Sequence, residues 1–133
     1  MSKRMTKDEF QESLGALNPV GHVVLAFAND PIAADARADL LQAGFTDQDI
    51  LSYTSAELFP DLDDMIRNAS GAAGFGYEIN LMRRYLTLAG EGCGWLVVYS
   101  PDDDQVEKVS LVAKRFGAKS AVRYGRLVNE DLV

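Results

Sequence analysis

Two short runs, residues 22–28 (HVVLAFA) and 94–100 (GWLVVYS), are apolar at almost every position, and they constrain the fold more than any other feature of the chain. Successive side chains of a strand point to opposite faces, so a strand that is apolar at both parities needs cover on both sides. The two runs are therefore expected side by side in the middle of one sheet. Each is followed by the same plan. After the first, Asp30 can N-cap a helix whose first position is Pro31, where the missing N–H has no helical partner anyway. Ala33, Ala36, Leu40 and Leu41 make the inner side of that helix, and Gly44 is placed to stop it near residue 43. After the second run, residues 101–104 (PDDD) open a helix with Val106, Val109, Ala113 and Phe116 as its apolar stripe and Gly117 as its stop. Residues 50–54 (ILSYT) and 120–125 (SAVRYG) then read as the second strand of each half, with the mixed polarity of edge strands.

Laying one half over the other pairs Val23 with Trp95, Leu25 with Val97 and Phe27 with Tyr99 on one face of the sheet. Val24, Ala26 and Ala28 then match Leu96, Val98 and Ser100 on the other. Two βαβ units with central first and third strands fit an α+β, ferredoxin-like duplicated sheet in the spatial order 4-1-3-2, carrying a helical insertion between the halves. They also fit a small doubly wound parallel α/β sheet in the order 2-1-3-4. The near-equal halves favour the ferredoxin-like form.

At 133 residues the chain has the size of a single domain that holds together without staples. Residues 1–21 are polar and read as a tail or docking arm, leaving residues 22–133 as one domain. Its inserted segment, residues 55–92, is too long for a hairpin. Ser55, Leu58, Leu62, Met65 and Ile66 suggest a helix interrupted by Pro60. Residues 70–76 (SGAAGFG) break the pattern, and a second amphipathic helix over residues 77–89 aligns Tyr77, Leu81, Tyr85 and Leu88. These helices are candidates to cover the second face of the sheet; failing that, a second subunit must cover it.

The net charge of −7 works against attraction to nucleic-acid phosphates and anionic lipid, so neither nucleic acid nor membrane is expected as a partner. The imbalance lies in residues 1–75, with twelve acidic and five basic residues, whereas residues 76–133 hold eight of each. Cys93 is the only cysteine, which excludes an intrachain disulfide and a cysteine-based metal cluster. The first residues contain no apolar stretch of signal-peptide length, and no later stretch reaches the roughly 18 apolar residues of a spanning helix. A cytoplasmic location is the expectation.

Candidate chemistry is sparse. The glycine-rich residues 70–76 precede a helix, and their backbone N–H groups can cradle an anion with help from Arg83 and Arg84. This makes Ser70, Gly71, Gly74, Gly76, Arg83, Arg84 and, from the basic end of the chain, Arg123 the candidate ligand-binding set. The loop follows a helix rather than a strand and is neither a Walker loop nor a GxGxxG motif, so a plain linker accounts for it better, and the same glycines can also act as a hinge. Asp61, Asp63 and Asp64, and Asp102, Asp103 and Asp104, lack the alternating pattern of a calcium loop, and helix-dipole preference explains the second run, so no metal site is assigned. His22, the sole histidine, has no acid or nucleophile near it in sequence, and reads as a strand-end side chain bonded to nearby backbone. Cys93 has no adjoining cation to favour its thiolate. Arg123 beside Tyr124 can grip an acidic partner, or simply guard an exposed edge. No catalytic residue and no cofactor is expected.

The strand VVLAFAND, a helix ending in AGF, the TDQDI lead into the next strand, a glycine-bearing middle and a second βα unit with an acidic helix start resemble the general stress protein 17M-type (heat-induced stress protein) domain of bacteria. The resemblance spans residues 22–125. It implies a small cytoplasmic bacterial protein without established catalytic residues, linked to stress. In the middle the chain departs from that pattern, having only SGAAGFG and a polar helix where such domains carry a longer apolar stretch. The expected function is a non-enzymatic regulatory or protein-interaction module acting as a homodimer or higher homo-oligomer; the alternative is a small-ligand sensor for an anionic metabolite or nucleotide held near residues 70–76.

Overall fold

The computed structural model describes residues 20–58, 60, 76–125 and 129–133. The elements run β1 (His22–Phe27), α1 (Asp30–Gln42), a 3-10 turn (Asp47–Asp49), β2 (Ile50–Tyr53), α2 (Gly76–Gly90), β3 (Gly94–Tyr99), α3 (Asp103–Arg115), β4 (Ser120–Tyr124) and β5 (Asn129–Asp131). The class is α+β. One sheet has the order β2-β3-β1-β4-β5 and every ladder is antiparallel. The parallel doubly wound alternative is thereby overturned, while the first four strands stand in the 4-1-3-2 order that the antiparallel alternative requires.

The two apolar runs lie next to each other, His22 opposite Tyr99 and Phe27 opposite Gly94. Val23, Leu25, Phe27, Leu96 and Val98 form one core with Ala33, Ala36 and Leu40 of α1 and Val106, Val109 and Val112 of α3. Val24, Ala26, Trp95, Val97, Val122 and Tyr124 form a second core on the opposite face, under Tyr85 and Ala89 of α2 and Leu58. The inserted helix thus covers the second face from within the chain.

Three expectations need correction. First, the overlay of the halves is off by one residue. The structure places Trp95 and Val97 opposite in facing to Val23 and Leu25, because the corresponding positions are Val23 with Leu96, Leu25 with Val98, Ala33 with Val106 and Gly44 with Gly117. A slip of one residue moves every side chain to the other face. Second, β4 is not an edge. β5 pairs with it, Asp131 opposite Val122 and Asn129 opposite Tyr124, and four of its five residues are buried. Third, the cap of α1 is Asn29, whose side chain accepts from the Ile32 N–H at 2.9 Å; Asp30 is the first helical residue.

The later helix is capped as its sequence suggests. Asp102 accepts from the Gln105 N–H at 2.9 Å, Asp103 and Asp104 fill the first turn, and Lys114 and Arg115 the last, all favourable to the helix dipole. Arg115 bonds to Asp39 and so ties α3 to α1. Gly117, with φ at 64°, lets the chain leave α3 at an angle that a side chain would oppose.

Candidate functional site

The best-formed hollow among the described residues is a half-open groove of about 290 Å³ between α1 and the edge strand β2. It exists because small side chains meet there: Ala33 and Ala34 from α1 face Ser52, and Leu96 lies beneath. Ser52 stands opposite Leu96 in the ladder and two residues from Ile50, so it projects to the same face as both. Its hydroxyl is buried and has no hydrogen-bond partner. Leaving such a group unpaired costs about 1–3 kcal/mol.

One end of the groove lies where β2 runs out and a new helical turn begins at residue 55. Thr54 caps that turn, its hydroxyl accepting from the Glu57 N–H at 3.2 Å while the Glu57 carboxylate accepts from the Thr54 N–H at 3.0 Å. Asp30 reaches across from α1 and its carboxylate lies 3.4 Å from the Ser55 N–H. Further along α1, Arg37 lines the groove and bonds to Asp47. A close approach fixes the wall: a Cβ on Gly94 would lie 2.8 Å from the Ala33 Cβ and from the Asp30 Cα. Only glycine lets β3 and the start of α1 come this near.

The sequence singled out other positions. Ser70, Gly71 and Gly74 lie outside the described residues, as do Asp61, Asp63 and Asp64, and Gly76 is the first residue of α2. Arg83 and Arg84 are exposed on α2, Arg84 donating to the Lys119 carbonyl at 3.2 Å. Arg123 projects to the other face of the sheet, where it pairs with Asp103 at 2.9 Å. The sheet therefore separates Arg84 from Arg123. Neither guanidinium contributes to the groove, whose residues gave no signal in the sequence beyond a serine in a strand opposite two alanines.

His22 is buried, its Nδ1 3.1 Å from the Val20 carbonyl oxygen and its ring 5.1 Å from that of Tyr99, the backbone-bonded role expected of it. Cys93 is fully buried. Burial is the main cause that pushes its thiol above the ordinary value; Lys119 pulls the other way, and Glu91 and Asp30 add to the rise. Its thiolate is therefore disfavoured. The Tyr85 and Tyr124 hydroxyls bond to each other at 2.8 Å inside the second core.

Among the described residues no group of three or more histidine, cysteine, aspartate or glutamate side chains is arranged to hold a metal ion, and no helix is long and apolar enough to cross a membrane. A second hollow of about 240 Å³ between α1 and α3 has the Asp39–Arg115 pair in its wall. In comparison with known proteins, the chain matches no family model, no curated protein and no solved structure.

Proposed function

We propose that the chain is a non-enzymatic sensing module on a duplicated, ferredoxin-like frame, and that it binds a small organic ligand in the groove between α1 and β2. The observation that carries this reading is the groove itself, a hollow at the lower end of the size range of ligand sites, floored by a buried serine hydroxyl with no partner. Two further features support it. The strand order and the corresponding positions of the two halves suit a duplicated frame. The histidine and the cysteine are both buried, and the histidine has a backbone partner, so neither is presented to a substrate. The resemblance to the bacterial general-stress domain points the same way, toward a regulatory rather than a catalytic role.

Thermal unfolding in the presence of a metabolite panel tests the reading. A bound ligand raises stability by RT ln(1 + [L]/Kd), so a true ligand gives a concentration-dependent rise. Ala34→Trp, at an exposed position on the groove wall, is expected to abolish that rise without unfolding the chain. No rise with any compound, or a rise untouched by Ala34→Trp, counts against the groove.

The interaction reading keeps one specific support. Among the described residues β2 has a strand neighbour on one side only, which leaves its other side as the edge offered to a strand from another chain, including a second copy. Pairing through the sheet face has lost its rationale, because α1 and α3 occupy one face and α2 the other. Light scattering after size exclusion tests edge pairing: Ser52→Pro should return a dimer to monomer, and a chain that is monomeric from the start removes the proposal.

A further inference from the structure

We propose that the ligand of the groove is a compact primary amine, protonated, whose ammonium binds at the Asp30 end while its alkyl body lies on Ala33, Ala34 and Leu96. This deepens the sensing reading and rests on the groove being the ligand site. The argument is a census of donors and acceptors at the groove's mouth. Two helical segments start there, and their N–H groups would ordinarily favour an anion. Four of them are already engaged. The Ile32 N–H bonds to the Asn29 side chain, the Ser55 N–H faces Asp30, and the Thr54 and Glu57 N–H groups are satisfied within the Thr54–Glu57 cap. The one guanidinium in the wall, Arg37, is bonded to Asp47.

With these four engaged, the side chains at the mouth offer acceptors. Asp30 makes only a long contact to Ser55, leaving carboxylate lone pairs to spare, and the Ser52 hydroxyl has no partner at all. A carboxylate or phosphate entering here would meet the carboxylates of Asp30 and Glu57, although the Trp95 indole N–H, also in the lining, is buried without a partner. An ammonium brings three donors and a positive charge to the same place. Ala33, Ala34 and Leu96 give methylene groups an apolar surface, and Tyr53 and Trp95 complete the lining. The net charge of −7 attracts a cation to the surface as a whole.

The test holds the alkyl body constant and varies the head group. Thermal unfolding and amide chemical shifts of the full chain are followed with pentylamine, pentanoate and pentanol, with magnesium chloride at matched ionic strength as the control for bulk charge. Pentylamine is expected to raise the unfolding temperature with concentration and to shift the amides of residues 30–37 and 52–57. Asp30→Asn, which keeps the shape and the contact to Ser55, should weaken its binding at least tenfold, and Ser52→Ala should weaken it less. If pentanoate or pentanol binds in the groove and pentylamine does not, the amine assignment is overturned and the sensing reading stands. An equal rise with magnesium chloride also overturns the assignment. If no probe and no compound of the wider panel shifts those amides, both fall together.

Discussion

Single atoms decide how β3 meets α1. Gly94 sits opposite Phe27 in the central ladder, and a methyl group there would come within 2.9 Å of the Asn29 carbonyl oxygen as well as 2.8 Å of Asp30 Cα. Both of those contacts are backbone, which cannot swing aside. Gly94→Ala should therefore force the start of α1 outward at a cost of about 1–3 kcal/mol, as overpacking of a tight core does. Urea unfolding checks this: the midpoint should fall while the slope, which follows the surface exposed on unfolding, stays the same. Since Asp30 and Ala33 belong to the groove wall, the same variant should also lose the response to any groove ligand. A midpoint unchanged from the parent chain would mean that the helix start yields freely and that the wall is not fixed.

At the scale of elements, the structural role of α2 follows from one row of side chains. Tyr85 and Ala89 press on the second face, Tyr85 meeting Trp95 edge-on with ring centres 5.1 Å apart and sharing a hydroxyl contact with Tyr124. Tyr85→Ala should cost about 3–5 kcal/mol, the range for removing a large buried ring, and Tyr85→Phe about 1 kcal/mol for the lost hydroxyl contact. Leu111→Ser, on the exposed side of α3, should change stability by less than about 0.5 kcal/mol. Equal losses from Tyr85→Ala and Leu111→Ser in denaturant titrations would show that α2 is no cover. The inward facing of Tyr85 and Leu88 was legible in the sequence, as were the two central strands, the acidic start of α3 and the glycine stops at Gly44 and Gly117, because hydrophobic period and cap chemistry are local signals. β5 was not legible: Asn129, Glu130 and Asp131 have no strand pattern, and their place comes from backbone pairing with β4. Nor was the facing of Trp95, since both parities of both runs are apolar and the pattern alone cannot choose between registers. The groove was hidden for a third reason: it is made by what Ala33, Ala34 and Ser52 lack in size, and absent volume leaves no motif.

Over the whole molecule, the two halves that look self-contained in the sequence do not form self-contained sheets. Among the described strands β1 pairs with β3 and β4 and not with β2, while β2 pairs with β3 alone. Cutting the chain after residue 92 would take from β1 both of its neighbours and from β2 its only one. What remains of the described elements on the first piece is two strands that do not pair and the helices α1 and α2, without the central strand β3 between the two strands. The second piece keeps β3, α3 and the β4–β5 pair, but β3 and β4 are separated by the missing β1. Neither fragment, residues 1–92 or 93–133, should show a cooperative thermal transition. Mixed together, they should recover the near-ultraviolet circular dichroism of Trp95 in its packed site, slowly, since every central ladder joins distant parts of the chain and such pairings are costly to close. Cooperative melting of either fragment by itself would overturn this view, because it would show that half of the sheet holds a core without the central pair that β1 and β3 form.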